Sequence, residues 1–292
     1  MNEFVIMTDA CCDLPNELAA RYNIISIPMN VTIDQRSYEC NINEEYLTFA
    51  KFYDLLDSSE SAMSSAVSMQ TFTEHMEREL KAGRDILYIS FSSGLSATYQ
   101  NAEMAAQELR AHYSERKIYV VDSLCASGGE GLLVYLVAAE KANGADIETL
   151  RDFAERTKRM ICHWFTVDTL SYLKRGGRIS KSVALVGSLL SIKPILLVDR
   201  EGRLAMHSKV RGVKHLLQTI VDRMSDTIRD AKGQVIVISH ANAVERAREL
   251  ALLIKERFPE IKEVIISHIG PTIGCHAGPG ALALFFKGKM PA

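Results

Sequence analysis

The stretch Ile86-Leu87-Tyr88-Ile89-Ser90-Phe91-Ser92-Ser93-Gly94-Leu95-Ser96-Ala97-Thr98-Tyr99 passes from a run of strand residues straight into a helical pattern that continues to Tyr113. Four apolar residues in a row, without alternation, read as a strand covered on both faces. The hydroxyl-rich turn after it contains one glycine, which permits close backbone approach. It opens a helix whose first N–H groups have no partner within the helix itself. Working outward, the same strand-then-helix unit recurs. Phe4–Met7 is a short apolar strand, followed at Asp13-Leu14-Pro15 by an N-cap and a helix start. Ile24–Val31 is a second strand, and Ser68 caps a helix that ends near Gly83. Ile118–Val121 leads into a helix from about Ser127 to Asn143. Between these units Asn43–Leu56 has helical spacing, and the serine-rich Ser58–Ser68 reads as loop. Such alternation implies right-handed crossovers and a parallel sheet, with ligands at the carboxyl ends of its strands. The loops after Met7, Ile89 and Val121 are therefore where a ligand is expected.

Past Asn143 the texture changes. Asp146–Met160 is helical and Ile161–Val167 is a strand holding Trp164. Apolar stretches at Val183–Leu190 and Ile192–Val198 precede a hairpin turn at Asp199–Gly202. Helices at Val213–Ile228 and Ala243–Phe258 accompany strands at Val235–Ser239 and Val264–His268. A hairpin in this half favours a mixed or antiparallel sheet over a second Rossmann-like unit. The expected architecture is α/β throughout: an N-terminal doubly wound parallel-sheet domain over residues 1–155, and a C-terminal two-layer α/β domain over residues 156–292.

Composition narrows the function classes. Apolar residues make up 47% and charged residues 24% of the 292, which suits a globular chain and excludes disorder. A net charge of −2 with both signs interspersed argues against a dedicated nucleic-acid binder. The six cysteines (11, 12, 40, 125, 162 and 275) form no CxxC pair, and the N-terminal residues lack a basic-then-apolar leader. The reading is a cytoplasmic chain with reduced thiols and no membrane insertion, since no apolar stretch approaches bilayer length.

Few segments carry chemistry. The turn after Ile89 could hold a carboxylate or phosphate at a helix N-terminus, or Ser92 or Ser93 could simply cap that helix. It has neither the P-loop pattern nor GxSxG, so ATP binding of that kind and a nucleophile elbow are both unsupported. Gly270–Leu282 holds four glycines and two prolines, a rigid backbone path in which His276 is the one strong donor or acceptor side chain. Cys162-His163 and Cys275-His276 raise zinc, but neighbouring residues rarely share one ion, so no metal is expected. Arg175-Gly176-Gly177-Arg178 and Lys209-Val210-Arg211 are basic loops whose guanidinium forks match carboxylate or phosphate oxygens.

Taken in order, these segments resemble the DegV family of bacterial lipid-binding proteins over essentially the whole chain. The markers are Thr8-Asp9 with Asp13-Leu14-Pro15; Ser64-Ser65 with Ser68; Ser92-Ser93-Gly94-Leu95-Ser96 with Thr98-Tyr99; Asp168-Thr169-Leu170 with Leu173 to Ser180; Lys193-Pro194-Ile195-Leu196; and Gly274 with His276 and Gly278-Pro279-Gly280-Ala281. The resemblance implies a long-chain fatty acid held between two domains, no cofactor and no catalytic residues. It assigns the carboxylate to Ser64, Ser93 or its neighbour Ser92, and His276, with Gly94 and Gly278 also counted among the ligand-binding residues. It also implies that a separate ATP-dependent fatty acid kinase receives the acid, with Arg175, Arg178 and Arg211 as docking or phosphate-facing groups.

The chain departs from the family pattern at three places. Ser64-Ser65-Ala66-Val67-Ser68 keeps a hydroxyl but lacks the usual proline, Ala10-Cys11-Cys12 replaces small hydroxyl residues, and Ala97 replaces a glycine. These bear on pocket shape and acyl preference. The ligand class also makes physical sense: about 14 buried methylenes at roughly 0.8 kcal/mol each give on the order of 11 kcal/mol before ordering costs. A few hydroxyls and one histidine then suffice to orient the head, without a buried arginine. Two other readings stand beside this one: an enzyme using a nucleotide or sugar phosphate, with Asp9 and Asp122 as its best residues, and a lipid sensor without a kinase.

Overall fold

The structure, a computed structural model, describes residues 3–180 and 192–289. The apolar stretch Val183–Leu190 lies outside the described residues. Strands β1 (Phe4–Asp9), β2 (Ile24–Ile27), β6 (Asp85–Ser90) and β7 (Ile118–Asp122) form a four-stranded sheet in the order β2-β1-β6-β7, every pair parallel. Alternate residues of the central strands feed two different cores, as the period of two demands. Val5, Met7, Ile86 and Tyr88 pack against helices α3 (Met69–Lys81) and α4 (Thr98–His112). Ile6, Leu87 and Ile89 pack against α5 (Gly128–Ala142).

The second half is built on a six-stranded mixed sheet, in the order β10-β9-β8-β13-β11-β12. Its strands are β8 (Ile161–Thr166), β9 (Ile192–Val198), β10 (Leu204–Arg211), β11 (Val235–His240), β12 (Glu263–His268) and β13 (Leu282–Lys287). Only β11 and β12 pair in parallel; the rest are antiparallel, including the β9–β10 hairpin. Helices α8 (Val213–Thr227) and α9 (Val244–Arg257) cover one face through Leu216, Ile220, Leu250 and Ile254. The other face, with Val237, Ala283 and Phe285, meets α5. Helix α5 therefore lies between the two sheets, and α6 (Ile147–Thr157) packs beside it.

Several local expectations give way to tertiary context. The single strand Ile24–Val31 is broken at Pro28, which has no N–H to continue a ladder. Its second part becomes β3 (Met29–Ile33), in a separate antiparallel sheet of order β4-β3-β5 with β4 (Arg36–Cys40) and β5 (Ala62–Ser65). Part of the serine-rich "loop" is thus β5. The helix expected from Asn43 is α2 (Phe49–Ser58), starting only where the Thr48 hydroxyl accepts from the Lys51 N–H. Asp13 does not cap α1 (Asn16–Arg21); Pro15 precedes that helix without a side-chain cap. The glycine-rich C-terminal loop contains a short helix, α10 (Pro271–Ala277), and the following Leu282–Phe286 is central strand β13. A short helix α7 (Ser171–Arg175) completes the described elements before residue 181.

Candidate functional site

A largely apolar cavity of about 290 Å³ lies where the carboxyl ends of β1, β6 and β7 face the inner side of β8 and β13. That is near the low end of volumes that enclose small-molecule ligands. Cys11, Phe91 and Ala126 line it from the parallel sheet, and Phe165, Ala283 and Phe285 from the mixed one. Cys11 is buried with its Sγ 3.3 Å from Met29 Sδ, and burial raises its thiol well above the ordinary value, so it behaves as an apolar wall.

One end is polar. Ser64, on β5, places its Oγ 2.7 Å from Nε2 of His276, on α10. The imidazole is wedged in place: on its far side Nδ1 faces Gly176, where even a Cβ would stand 2.9 Å from Cε1. Nδ1 is buried with no hydrogen-bond partner among the described residues. Burial, followed by the charges of Arg178 and Arg175, pushes His276 down to about 4, so it is neutral at physiological pH. With its proton on Nε2 it donates to Ser64, leaving the serine hydroxyl free to donate to a third group.

The positive charge here belongs to Arg178, which lines the cavity and is half-buried. Its Nε donates to Leu95 O at 3.3 Å, and its Nη1 donates to Gly176 O. Ser96 and Ala97, also on the wall, stand at the N-terminus of α4, where a 15-residue helix adds a positive dipole end. Arginine, helix terminus, Ser64 hydroxyl and neutral His276 together form an anion-accepting end on an apolar chamber. A surface recess lined by Gly94, Leu95, Gly177, Arg178, Ile179 and Leu204 adjoins it, so Arg178 lies between cavity and outside.

The structure brings Ser64 and His276 together on the cavity wall, and it places the other expected ligand-binding positions off that wall. Ser92 is fully buried, and its hydroxyl donates to Gly202 O at 2.8 Å. Ser93 is spent on Asp122, donating from Oγ at 2.5 Å and from its N–H at 3.1 Å. Gly94 admits the β9–β10 turn: a Cβ there would stand 2.6 Å from Glu201 O and 2.9 Å from Gly202 O. Ser92 and Gly94 dock the hairpin of the second half, Ser93 ties the turn to Asp122, and the cavity takes the later Leu95, Ser96 and Ala97. Gly278 (φ +73°) turns the chain beside the Tyr172 ring, while its neighbour Ala277 lines the cavity. Among the expected docking arginines, Arg178 is a wall residue. Arg175 is exposed, its guanidinium 4.8 Å from the Tyr172 ring centroid. Arg211 is exposed in a separate surface recess with Lys214 and His215.

Sequence reasoning passed over other wall residues. Thr272 is buried with its Oγ1 unpartnered among the described residues. His163 also lines the cavity; its Nε2 accepts from the Ala126 N–H at 3.3 Å, and burial pushes it down to about 4, so it too is neutral. Cys162 packs with Trp164 in the opposite core, so the adjacent cysteine and histidine point to opposite faces of β8 and cannot share an ion. Asp9, the residue weighed for nucleotide chemistry, is fully buried under β6: its carboxylate accepts from Tyr88 Oη at 2.7 Å and from the N–H groups of Phe91 and Cys11. Asp122, the other, organises the loops through Ser93 and the Leu124 N–H. No helix among the described residues is long and apolar enough to cross a membrane.

The model of the DegV family, described as one of uncharacterised proteins, matches residues 3–289. A DegV domain-containing protein of Clostridium perfringens is 41% identical over 288 residues, covering 99% of this chain and 98% of its own. A DegV lipid-binding protein from Thermotoga maritima has the same fold, with a TM-score of 0.87 at 27% identity, over 98% of both chains. A DegV family protein from Thermus thermophilus, described for its fatty acid binding, gives a TM-score of 0.88 at 26% identity, covering 99% of this chain and 100% of its own.

Proposed function

The chain belongs to the DegV family, and from that membership we propose that it encloses a long-chain fatty acid without transforming it. The acyl chain fills the apolar cavity, and its carboxylate lies against Ser64, Arg178 and the start of α4. The observation that carries this reading is the Ser64–His276 pair beside Arg178 at the one strongly polar end of an apolar chamber. A neutral histidine supplies a hydrogen bond and no charge, so Arg178 is the counter-ion that makes holding an ionised head feasible. The solved relatives from Thermotoga maritima and Thermus thermophilus, described as lipid- and fatty-acid-binding, support the ligand class.

The finer part of the proposal is that the bound acid is presented to a separate ATP-dependent fatty acid kinase. The polar end adjoins the surface recess at Arg178, so the head rather than the tail is the part within reach of a partner. Arg175 and Arg211, exposed and not on the cavity wall, are the docking groups in this scheme.

Mass spectrometry of protein purified without added lipid, native and then denaturing, tests the ligand. A released mass matching a long-chain fatty acid at near one per chain is expected. A nucleotide or sugar-phosphate adduct in its place, or failure of the stripped protein to take up oleate, would overturn it. For the partner, Arg211→Ala should leave oleate uptake unchanged and slow its phosphorylation by a fatty acid kinase; loss of uptake instead would put Arg211 in the binding site.

A further inference from the structure

Asp13 lies off the cavity wall and does not cap α1, yet its surroundings are unusual. It sits in the loop after β1, in a left-handed conformation (φ +48°), with its side chain buried. Its Oδ1 accepts the Gly270 N–H at 2.8 Å and its Oδ2 accepts the Ser127 hydroxyl at 2.5 Å. No cation accompanies it among the described ion pairs; the titratable groups that bear on it are Asp9, Glu130, Tyr53, Cys11 and Cys12. A buried carboxylate without a counter-ion is costly, and its persistence calls for a role.

The two groups it grips are the two helix starts that meet the cavity from opposite halves of the chain. Gly270 immediately precedes α10, which carries Thr272, Ile273 and His276 to the wall. Ser127 immediately precedes α5 and lines the wall itself, in a backbone conformation (φ +54°, ψ −142°) that serine rarely adopts. Such a conformation survives only where surrounding bonds over-determine it. Helix α10 has only seven residues, too short to hold its own position, so its place depends on the anchors at its start. Two of these, Tyr53 Oη donating to Ile269 O and the Ile269 N–H donating to His240 O, fix the preceding residue. Asp13 fixes Gly270 itself, and it alone of the three also holds Ser127.

We propose that Asp13 is a positioning residue: its carboxylate sets the start of α10 and the cavity-lining Ser127 in one register, and so holds His276 against Ser64. Its effect on lipid retention rests on the fatty-acid reading above; its effect on His276 does not. The experiment uses the full chain stripped of lipid, with the His276 imidazole titrated by NMR and assigned through His276→Gln. Oleate transfer to fatty-acid-free albumin is followed in parallel. In Asp13→Ala the imidazole is expected to titrate higher by about one pH unit or more, as it gains water, and oleate to leave about tenfold faster. Asp13→Asn keeps an acceptor for the Gly270 N–H and should restore most of both properties. Asp13→Leu fills the same space without acceptors and repeats the measurement if the alanine variant does not fold. A folded Asp13→Ala or Asp13→Leu protein with the parent His276 titration, or an asparagine variant no better than alanine, would overturn the proposal. So would a variant that loses only thermal stability. If the parent takes up no oleate, the function proposed above falls, and the imidazole titration alone decides the role of Asp13.

Discussion

Gly176→Ala should damage the site by a single methyl group, and the structure gives the size of the effect. Gly176 has φ −72°, a conformation in which alanine is at ease. Gly→Ala at such a position ordinarily stabilises by about 0.4–1 kcal/mol through the unfolded chain. Here the added Cβ would stand 2.9 Å from Cε1 and 3.3 Å from Cγ of His276, and closer still to Nδ1. The ring would need to retreat by about 1 Å to reach ordinary contact. Ser64 already lies 2.7 Å from Nε2 on the opposite side, so there is no room to slide. Either the ring swings out of the pair or β5 moves. Overpacking of this kind costs about 1–3 kcal/mol, enough to outweigh the alanine gain. Losing the Ser64–His276 bond should weaken oleate affinity about tenfold, the equivalent of about 1.4 kcal/mol. Urea unfolding and calorimetric oleate titration measure the two parts. Gly177→Ala is the matched control: its φ of +72° strains any side chain, but nothing among the described residues lies within 4 Å of the added atom. It should lose stability and keep its affinity. A Gly176→Ala protein as stable as the parent, with unchanged affinity, would refute the wedge.

Other substitutions separate the parts of the site. Ser92→Ala, by orphaning Gly202 O, should cost about 1 kcal/mol in urea unfolding and leave oleate affinity intact; weakened affinity would return Ser92 to the binding site. Arg178→Gln removes the one positive charge on the cavity wall among the described residues and should weaken oleate affinity by tenfold or more in calorimetry, whereas unchanged affinity would make His276 and Ser64 sufficient alone. Burial raises Asp13 from 3.8 to about 7. Between those values the folded chain holds a proton that the unfolded chain has lost, so rising pH draws the protein toward unfolding. Parent stability relative to Asp13→Asn should therefore fall as pH rises from about 4 to 7 and level off above, by about 4 kcal/mol at most. A pH-independent difference in urea midpoints would show that Asp13 is not protonated in the folded state.

The parallel sheet was legible because strands buried on both faces are contiguous apolar runs, as Ile86–Ile89 is. The turns after them were legible as sites because helix starts have free N–H groups. Which serine of Ser92-Ser93-Gly94-Leu95-Ser96 turns inward was not legible. That depends on the β9–β10 hairpin, more than a hundred residues later, arriving to claim Ser92 through Gly202. Asp13 misled for a similar reason. Beside Leu14-Pro15 it has the local form of an N-cap, but its partner Gly270 is 257 residues away. Strand β13 was obscured by the glycines and prolines before it, which drew attention to the turn and away from Leu282–Phe286. Arg178 reads like Arg175 and Arg211, as one basic-loop guanidinium among three, and only the fold brings it beside Ser64 and His276.

Helix α5 has a consequence for how the chain comes apart. Residues Gly128–Tyr135, with Val137 and Ala138, are buried on every side, some against the parallel sheet and some against β11 and β13. Gly128 and Gly129 let it approach so closely that a Cβ on either would collide with Ser239, Phe285 or His163. A helix buried on every side over its first eight residues has no solvent face there to fall back on, so neither sheet can keep it when the other melts. The two halves should therefore unfold as one cooperative unit, with a single coincident transition by fluorescence and circular dichroism. Cutting the chain near Gly144 would not release two independent folds: one fragment would carry a bare greasy helix and the other a bare sheet face, and each would aggregate until it met its complement.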